Sequence, residues 1–349
     1  MAIRFVRTIL AGATLACLAL PAAVAGQPAG DVPAFTVCTK AECRAPTSLE
    51  RAHVPIGTDA VAYPGLHYAA LLGFRPLTMD LYLPARRKGP LPVIVLIHGG
   101  GWLFGNPRAE AGFADLPKLL GEIAAQGFAV ASVEYRFGSE APFPAALKDV
   151  KSSIRWLRAH SDEFGLDPDR FVTWGGSAGG QLSAIAATTC GVAKFEPDIE
   201  TKGSWKPGAV LDAPPGTVSD CVQGAVAWYG AFDFTQPIGG PFAIEQHPYF
   251  ACKPEGCTQE ELENPSAAHY LDAKDPPILL VHGDADASAP PAQSRHFLDL
   301  MKAKGIAAEL VTIPGADHGF RAATDAATLE AHRQALAASL DFTRRITAR

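Results

Sequence analysis

The sequence lacks the patterns that mark nucleic-acid-binding, metal-binding and disordered proteins. Lys and Arg number 30 among 349 residues, do not cluster into a basic stripe, and are outnumbered by 36 Asp and Glu, for a net charge of −6. This distribution argues against nucleic acid as a partner. CxxC pairs and Cys/His zinc spacings are absent, so no metal site is expected. Low-complexity tracts are absent too, and 48% of the residues are hydrophobic, which is enough for a large core.

Hydrophobic runs long enough for a membrane span are also missing. The apolar run Ile9–Leu20 contains 12 residues, which is too short to cross a bilayer comfortably. Arg4 and Arg7 precede it, and Ala23–Ala25 follows as a small-residue cleavage site. This order predicts a cleavable secretory signal peptide over residues 1–25, in preference to a membrane anchor, and hence a secreted or periplasmic protein.

The cysteines agree with export. Removal of the signal peptide would take Cys17 with it and leave six cysteines, and an even number in an exported chain favours disulfides. Three pairs are preferred. Cys38–Cys43 and Cys252–Cys257 would close very short loops, and Cys190–Cys221 would join the two ends of a long segment that has no periodic pattern. The alternatives are a free thiol at Cys190 and other pairings, such as Cys221 with Cys252.

Strand and helix patterns alternate over residues 63–349, after an irregular arm predicted for residues 26–62. The continuous apolar run Val93–His98 is typical of a strand buried on both faces. Pro144–His160 repeats its apolar residues at spacings of three and four, as an amphipathic helix does. The alternation predicts an α/β domain with a mostly parallel, eight-stranded sheet and helices on both faces.

Some segments give weaker or no secondary-structure signals. A β-hairpin is predicted over His67–Leu72 and Leu77–Leu83, and a helix over Glu110–Gln126. Two stretches, Gly191–Asp220 and Asp233–Tyr270, show no regular period. Loops that long are uncommon and are often functional.

A G-x-S-x-G motif surrounds Ser177, directly after a predicted strand and at the start of a predicted helix. This context indicates a nucleophile elbow. The turn is strained, and a side chain at Gly175 or Gly179 would crowd the serine backbone. At a helix N-terminus, free N–H groups and the helix dipole favour the negative charge that develops during attack. Ser177 is therefore the candidate nucleophile.

A serine nucleophile needs a general base. His318 is favoured among ten histidines, because it lies in a short loop after the last predicted strand that can reach back toward Ser177. The rival bases are His98, His269 and His282. His98 is more typical of a structural residue that holds the following glycine loop by hydrogen bonding.

The base in turn needs an orienting carboxylate. Asp286 is favoured over Asp284 because it lies further into the loop after its strand. Asp233, which follows the preceding strand, is a third candidate. The chain order Ser177, Asp286, His318 is the order expected when a nucleophile elbow comes first.

The glycine run after the strand Val93–Ile97 completes the set of motifs. Consecutive glycines in His98–Trp102 let backbone N–H groups approach an oxyanion closely, although a tight loop without a catalytic role would look the same. With these motifs the chain resembles the α/β-hydrolase esterases of the HGGG class, and in pattern the acetyl-xylan/feruloyl esterase-like and hormone-sensitive-lipase-like groups. The matching stretches are Leu77–Pro84, Ile97–Trp102, Val133–Phe137, Gly175–Gly180, Val281–Pro290 and Gly315–Phe320.

The resemblance implies the α/β-hydrolase fold and a Ser-His-Asp acyl-enzyme mechanism that needs no cofactor. Carried over residue by residue, it places the oxyanion hole at the N–H groups of Gly100, Gly101 and Ala178. It also supports Asp286 through the pattern His-Gly-x-x-Asp. The Cys-flanked segments depart from the family pattern, and such loops border the site in related folds.

The implied activity is hydrolysis of short-chain or carbohydrate-linked esters, acetyl or feruloyl, on a small molecule or a polysaccharide. Trp102, Phe104 and Tyr229 are candidate substrate-binding residues, although each fits a core position equally well. A prolyl-oligopeptidase-like peptidase is one alternative, but the chain has no room for a propeller and carries HGGG instead of an oxyanion tyrosine. A non-catalytic binding protein is another, but such relatives normally lose a member of the triad.

Overall fold

A nine-stranded sheet forms the centre of the computed structural model, which describes residues 53–70, 74–110, 112–196, 218–238 and 244–348. The predicted signal peptide and Cys38–Cys43 lie outside the described residues. The strands are β1 Val54–Ile56, β2 Ala60–Ala69, β3 Leu77–Pro84, β4 Leu91–Ile97, β5 Ala129–Val133, β6 Leu166–Gly176, β7 Gly224–Trp228, β8 Ile278–Gly283 and β9 Ala308–Ile313.

The strand order is β1-β2-β3-β5-β4-β6-β7-β8-β9. The strands from β4 onward pair in parallel with one another, whereas the pairs β1·β2, β2·β3 and β3·β5 are antiparallel. The prediction of a mostly parallel sheet is thus confirmed. The strand count was wrong by one, because β1 and the start of β2 lie in residues 54–62, where an irregular segment was expected. These are strands at the antiparallel edge, and their Pro and Gly residues and exposed side chains hide the strand signal.

Seven α-helices occur in the described residues and cover both faces of the sheet. They are α1 Leu116–Ala124, α2 Ala145–Ala159, α3 Ser161–Phe164, α4 Ala178–Thr188, α5 Gln259–Glu263, α6 Ala292–Ala303 and α7 Asp325–Thr347. One apolar core lies between the sheet and α2, α4 and α6, and the other lies between the sheet and α1 and α7. Val93 and Val95 of β4 face the first core and Ile94 faces the second, so the apolar run does correspond to a strand buried on both faces.

The helix predicted over Glu110–Gln126 begins later than expected, at Leu116. Asp115 caps it by accepting a hydrogen bond from the backbone N–H of Lys118, at 3.0 Å, and a proline lies in the first turn. These are strong helix-start signals. Glu110 consequently lies in a loop, and it enters the candidate site described below.

Two of the preferred disulfides are present. Cys190–Cys221 and Cys252–Cys257 each have a Cα–Cα distance of 4.7 Å. The stretch Asp233–Tyr270, where it is described, contains α5 and short 3-10 turns rather than a structureless loop. No helix in the described part of the chain combines the length and apolarity that a membrane crossing needs.

Parallel pairing aligns the carboxyl ends of the six strands β4 to β9 at one edge of the sheet. Ile97 pairs with Gly175, Gly176 with Trp228, and Gly283 with Ile313. The loops that follow these strands therefore emerge side by side. They carry the glycine run and all three residues of the predicted triad. His318 is 32 positions from Asp286 in the chain and 141 positions from Ser177.

Candidate active site

Ser177 occupies a strained turn between β6 and α4. Its backbone has φ 55° and ψ −119°, a conformation that costs energy for a residue with a side chain. The flanking glycines make the turn possible. A Cβ at Gly179 would lie 1.9 Å from the carbonyl oxygen of Ile97, and a Cβ at Gly175 would lie 2.4 Å from the carbonyl oxygen of Gly179. The elbow requires glycine at both positions, but the atoms that a side chain would meet first are these carbonyl oxygens and not the backbone of Ser177, as the motif had suggested.

The predicted nucleophile, base and acid meet in one hydrogen-bonded chain. His318 Nδ1 lies 2.8 Å from Asp286 Oδ2, and His318 Nε2 lies 2.9 Å from Ser177 Oγ. A carboxylate can only accept, so Nδ1 carries the proton and Nε2 accepts from the serine hydroxyl. This is the arrangement in which an imidazole can remove the serine proton.

Asp286 is buried, with 5% of its surface exposed, yet it is surrounded by donors. Its Oδ1 accepts from the backbone N–H groups of Ser288 and Ala289, both at 2.9 Å. His282 Nε2 lies 3.3 Å from Oδ2. Burial alone would raise the pKa of Asp286, but the hydrogen bonds from His282 and His318 outweigh it and hold the pKa well below its usual range. Asp286 is therefore a stable anion beside the imidazole.

The rival histidines lie elsewhere. His282 is behind Asp286, and its Nδ1 is 2.7 Å from Ser294 Oγ. His269 is partly exposed, on the surface near Glu263. His98 is buried, donates from Nδ1 to the carbonyl oxygen of Gly99 at 2.7 Å, and stacks on a tyrosine ring. Burial lowers the pKa of His98 to about 4, so it is a neutral residue that holds the glycine loop.

Asp284 and Asp233, the alternative acids, form hydrogen bonds with residues other than His318. Asp284 is exposed and accepts from the backbone N–H of Gly315 at 2.7 Å. Asp233 pairs with His296 at 2.9 Å and caps the following turn through Thr235. Neither contacts His318 in the hydrogen bonds of the described residues.

The glycine loop borders the serine. Gly100 and Gly101 have φ of 110° and 58°, and both line the space above Ser177. A Cβ at Gly100 would lie 2.0 Å from the carbonyl oxygen of Phe104, so the tight turn excludes any side chain there. Ala178 begins α4, where the first backbone N–H groups have no partner within the helix.

A buried polar network holds this loop from behind, and the motifs did not reveal it. Trp102 Nε1 donates to Gln181 Oε1 at 3.0 Å, and the hydroxyl of Tyr249 donates to the same oxygen at 3.2 Å. Gln181 Nε2 donates to the carbonyl oxygen of Pro265 at 2.7 Å. The rings of Trp102 and Tyr249 stack with centroids 4.5 Å apart. The only signal in the sequence is the position of Gln181, one helical turn after Ser177.

Glu110 is a second residue that the sequence analysis did not single out. Its carboxylate accepts from the backbone N–H of Gly99 at 2.9 Å, and its charge acts on the buried hydroxyl of Tyr229. The Tyr229 ring packs edge-on against His318, with centroids 4.9 Å apart. Burial, reinforced by the charge of Glu110, raises the pKa of Tyr229 well above its ordinary value. Tyr229 thus supports the base as a neutral side chain.

The three candidate substrate-binding residues have different surroundings. Trp102 and Tyr229 are buried, whereas 68% of the Phe104 surface is exposed. Two cavities adjoin Ser177 and His318. Trp102 lines the smaller cavity, Phe104 lines the wider one, and Tyr229 lines both. Within the described part of the chain, no group of three or more His, Cys, Asp or Glu side chains is arranged to hold a metal ion.

Comparisons with known proteins agree on the type of protein. The chain is 31% identical over 217 residues to LipM of Mycobacterium tuberculosis, described as a probable carboxylic ester hydrolase, covering 61% of this chain and 46% of that one. It spans about half the length of the curated relatives it matches first.

Solved structures are similar over more of the chain. A truncated carbohydrate esterase from gut microbiota is 25% identical, with a TM-score of 0.64, and the match covers 86% of this chain and 99% of that one. Esterase 2 of the planctomycete Thermogutta terrifontis, with propionate bound, is 27% identical, with a TM-score of 0.60 and coverage of 81% and 95%.

The family comparison matches a continuous segment. The BD-FAE family model aligns with residues 79–301, which include β3 through α6 and both Ser177 and Asp286. The alignment covers more than half of the chain. The family has the α/β-hydrolase fold, which the sheet and helices described above form. The chain belongs to the BD-FAE family of α/β-hydrolase esterases.

Proposed function

We propose that the protein is a serine carboxylesterase that hydrolyses short-chain or carbohydrate-linked esters, acetyl or feruloyl, without a cofactor. The observation that carries the proposal is the continuous hydrogen-bonded chain from Asp286 through His318 to Ser177, at 2.8 and 2.9 Å. The names of the relatives and neighbours, carboxylic ester hydrolase and carbohydrate esterase among them, support it. No specific observation favours a peptidase or a non-catalytic binding protein.

In the first step, His318 Nε2 takes the proton of Ser177 Oγ as the oxygen attacks the ester carbonyl carbon. The carbonyl oxygen becomes an oxyanion, which the N–H groups of Gly100, Gly101 and Ala178 stabilise. The C–O bond to the alcohol then breaks, and the imidazolium returns its proton to the leaving oxygen. Throughout, Asp286 holds the imidazole in the required tautomer and stabilises its charged form.

In the second step, water replaces the alcohol. His318 removes a proton from the water, which attacks the acyl-serine carbonyl, and the same N–H groups hold the second oxyanion. Collapse releases the carboxylic acid, and His318 returns the proton taken from the water to Ser177 Oγ, which restores the serine hydroxyl. No redox change or metal is required, because every proton moves between Ser177, His318, the leaving alcohol and the attacking water.

The test is Ser177→Ala, assayed with para-nitrophenyl acetate. The rate should fall by about 10⁴-fold or more, because the nucleophile is gone while the fold is unchanged. Ser152→Ala on α2 is the matched control, since its hydroxyl bonds only to its own helix, at Lys148. Mass spectrometry with a fluorophosphonate should label the wild type and the control, but not Ser177→Ala. Turnover that persists in a folded Ser177→Ala protein would refute the assignment.

We also propose that the chain is exported and cleaved after Ala25. Support comes from the N-terminal pattern Arg4, Arg7 and Ile9–Leu20, and from the two disulfides, which persist in oxidising compartments. Expression with the native N-terminus, followed by N-terminal sequencing of the exported protein, should give a mature chain that begins at Gly26. An uncleaved chain retained in the cytosol would overturn this part.

A further inference from the structure

The two cavities at Ser177 differ sharply in size. The smaller cavity has a volume of about 40 Å³, and the wider cavity has a volume of about 610 Å³. One water needs about 10–15 Å³ by this measure. The smaller cavity therefore holds roughly three water-sized groups, which matches a two- or three-carbon chain and not an aromatic ring.

The wall of the smaller cavity is apolar and aromatic. Phe234 and Phe250 pack edge-on against each other with centroids 4.8 Å apart, and each packs against Trp102 at 5.9 Å. All three side chains are buried. Ile238 and His247 also line this cavity. An aromatic wall in mutual contact can widen only by displacing several rings together.

Covalent and polar contacts hold this wall in place. Phe250 lies two residues before Cys252, which forms the disulfide with Cys257. The backbone N–H of Phe234 donates to Ser266 Oγ at 2.8 Å. The His247 ring packs edge-on against Trp102, with centroids 5.7 Å apart, which ties the wall to the end of the glycine loop. These contacts restrain the described residues of the wall.

The wider cavity has the opposite character. It lies over His318 and extends to Asn106, Glu110 and Arg321, with the exposed ring of Phe104 at its side. Carboxylate, guanidinium and amide groups suit a ligand with many hydroxyls, and an exposed aromatic ring suits the apolar face of a sugar. The leaving alcohol must be within reach of His318, which protonates it.

We infer that the smaller cavity is the acyl pocket and limits the substrate to acetyl and propionyl esters, while the wider cavity takes a large polyhydroxylated alcohol such as a sugar. Ser177, Gly101 and Ala178 all border the smaller cavity, so the acyl carbonyl and its short substituent lie together there. Phe234 and Phe250 set the limit on acyl length. A feruloyl group, with its substituted ring conjugated to the carbonyl, does not fit. The inference rests on the proposed esterase function and narrows its substrate class.

The first experiment uses the wild-type enzyme and esters of one alcohol that differ in the length of the acyl group. Among para-nitrophenyl acetate, propionate and hexanoate, kcat/KM should fall by at least about 10-fold from propionate to hexanoate, since a poorly accommodated chain costs that much or more. An acetylated xylo-oligosaccharide should be hydrolysed, and methyl ferulate should not. A hexanoate rate equal to the acetate rate, or a preference for methyl ferulate, would overturn the inference while leaving an esterase. A folded protein inert toward every ester would refute the proposed function, and the inference with it.

The second experiment changes the limit on acyl length by mutation of Phe250. In Phe250→Ala the ratio of hexanoate to acetate kcat/KM should rise by at least about 10-fold, and the milder Phe250→Leu should raise it less. Phe104→Ala is the matched aromatic control in the wider cavity, and it should leave that ratio at the wild-type value. Circular dichroism and thermal unfolding confirm that each variant is folded, with Phe250→Leu as the fallback. An unchanged acyl ratio in a folded Phe250 variant would show that this ring does not set the limit.

Discussion

At the scale of single residues, the site depends on groups held in one protonation state by their surroundings. Asp286 is kept ionised by donors on both of its oxygens. His98 is kept neutral by burial, and Tyr229 is kept protonated by burial and by Glu110. In the proposed reaction, of these groups and His318, only His318 has to change its charge.

Asp286→Asn should lower kcat by on the order of 10³–10⁴-fold, because an amide no longer stabilises the imidazolium or selects its tautomer. Asp284→Asn is the matched control two residues earlier in the loop. Asp284 accepts from the backbone N–H of Gly315, which an amide oxygen can also do, so the activity of this variant should stay within a few-fold of wild type. Steady-state kinetics on para-nitrophenyl acetate make the comparison, and the reverse order would move the acid to Asp284.

The pH dependence of kcat/KM should show a single acid limb. Only the neutral imidazole of His318 accepts the serine proton, so activity falls on acidification. The pKa of Asp286 lies well below its usual range, so this carboxylate stays charged while the activity disappears. A plot of log kcat/KM against pH should therefore have a limiting slope of one. A slope of two, or a rate that stays flat down to about pH 4, contradicts a single histidine base.

His98 should make the folded protein sensitive to mild acid. The pKa of His98 is about 4 in the fold, whereas a histidine of the unfolded chain has a pKa of about 6.5. Between these values only the unfolded chain takes up the proton, so the free energy of unfolding falls as the pH is lowered. From pH 7 to 5 this group should contribute a loss of about 2 kcal/mol.

Urea unfolding at about pH 7 and about pH 5 measures this change in the free energy of unfolding. His98→Asn keeps a donor for the Gly99 carbonyl, and its free energy of unfolding should fall by about 2 kcal/mol less than that of wild type over the interval. His269→Asn, at a partly exposed position, serves as the control. Equal pH dependence in wild type and His98→Asn would mean that His98 is not held neutral by the fold.

At the scale of elements, α4 joins the nucleophile to the oxyanion loop. The helix begins directly after Ser177, and one turn later Gln181 bonds Trp102 at the end of the glycine loop. The same side chain bonds Tyr249, whose ring stacks on Trp102. The helix therefore fixes both the serine and the N–H groups that face it, and a change in Gln181 should affect catalysis without contact to substrate.

Gln181→Leu should leave the buried donors of Trp102 and Tyr249 unpaired, at a cost of about 1–3 kcal/mol each. Because the glycine loop loses its support, kcat should fall by roughly 10- to 100-fold, with KM changed only a few-fold. Gln259→Leu, an exposed glutamine in the first turn of α5, is the control. An unchanged kcat in folded Gln181→Leu protein would show that the loop holds its shape unaided.

At the scale of the whole molecule, the Cys190–Cys221 disulfide and a buried ion pair join the end of α4 to the entry of β7. Lys151 Nζ donates to Asp220 Oδ2 at 2.8 Å and to the carbonyl oxygen of Thr189 at 2.7 Å. Asp220 is next to Cys221 and Thr189 next to Cys190, so covalent and ionic links close the same loop. Their combined effect should appear in global stability more than in activity.

Replacing Cys190 and Cys221 with alanine should lower the free energy of unfolding by about 3–4 kcal/mol in the chain-entropy model, for a sequence separation of 31. The Cys252→Ala/Cys257→Ala variant is the comparison, since its separation is only 5 and the expected loss is about 2 kcal/mol. Urea unfolding monitored by circular dichroism measures both. Equal losses would show that native-state contacts, and not loop length, determine the effect.

Local sequence was sufficient for the parts of the protein that local chemistry controls. Gly175 and Gly179 indicated the nucleophile elbow at Ser177, because no other residue fits the turn at these two positions. Apolar runs indicated the buried strands, and parallel strands bring their carboxyl ends to one edge, so Ser177, Asp286 and His318 could be named from their positions after strands. Cysteine separation favoured two disulfides that the fold contains.

Only the tertiary structure decided the rest, because the remaining contacts join segments far apart in the chain. Phe234, Phe250 and Trp102 come from three separate loops, and their mutual packing forms the aromatic part of the wall of the small cavity. Glu110 and Gln181 look like ordinary polar residues until folding brings a buried donor to each. The sequence therefore predicted the reaction chemistry that is proposed for the chain, whereas packing between distant loops determined the shape of the cavities beside Ser177.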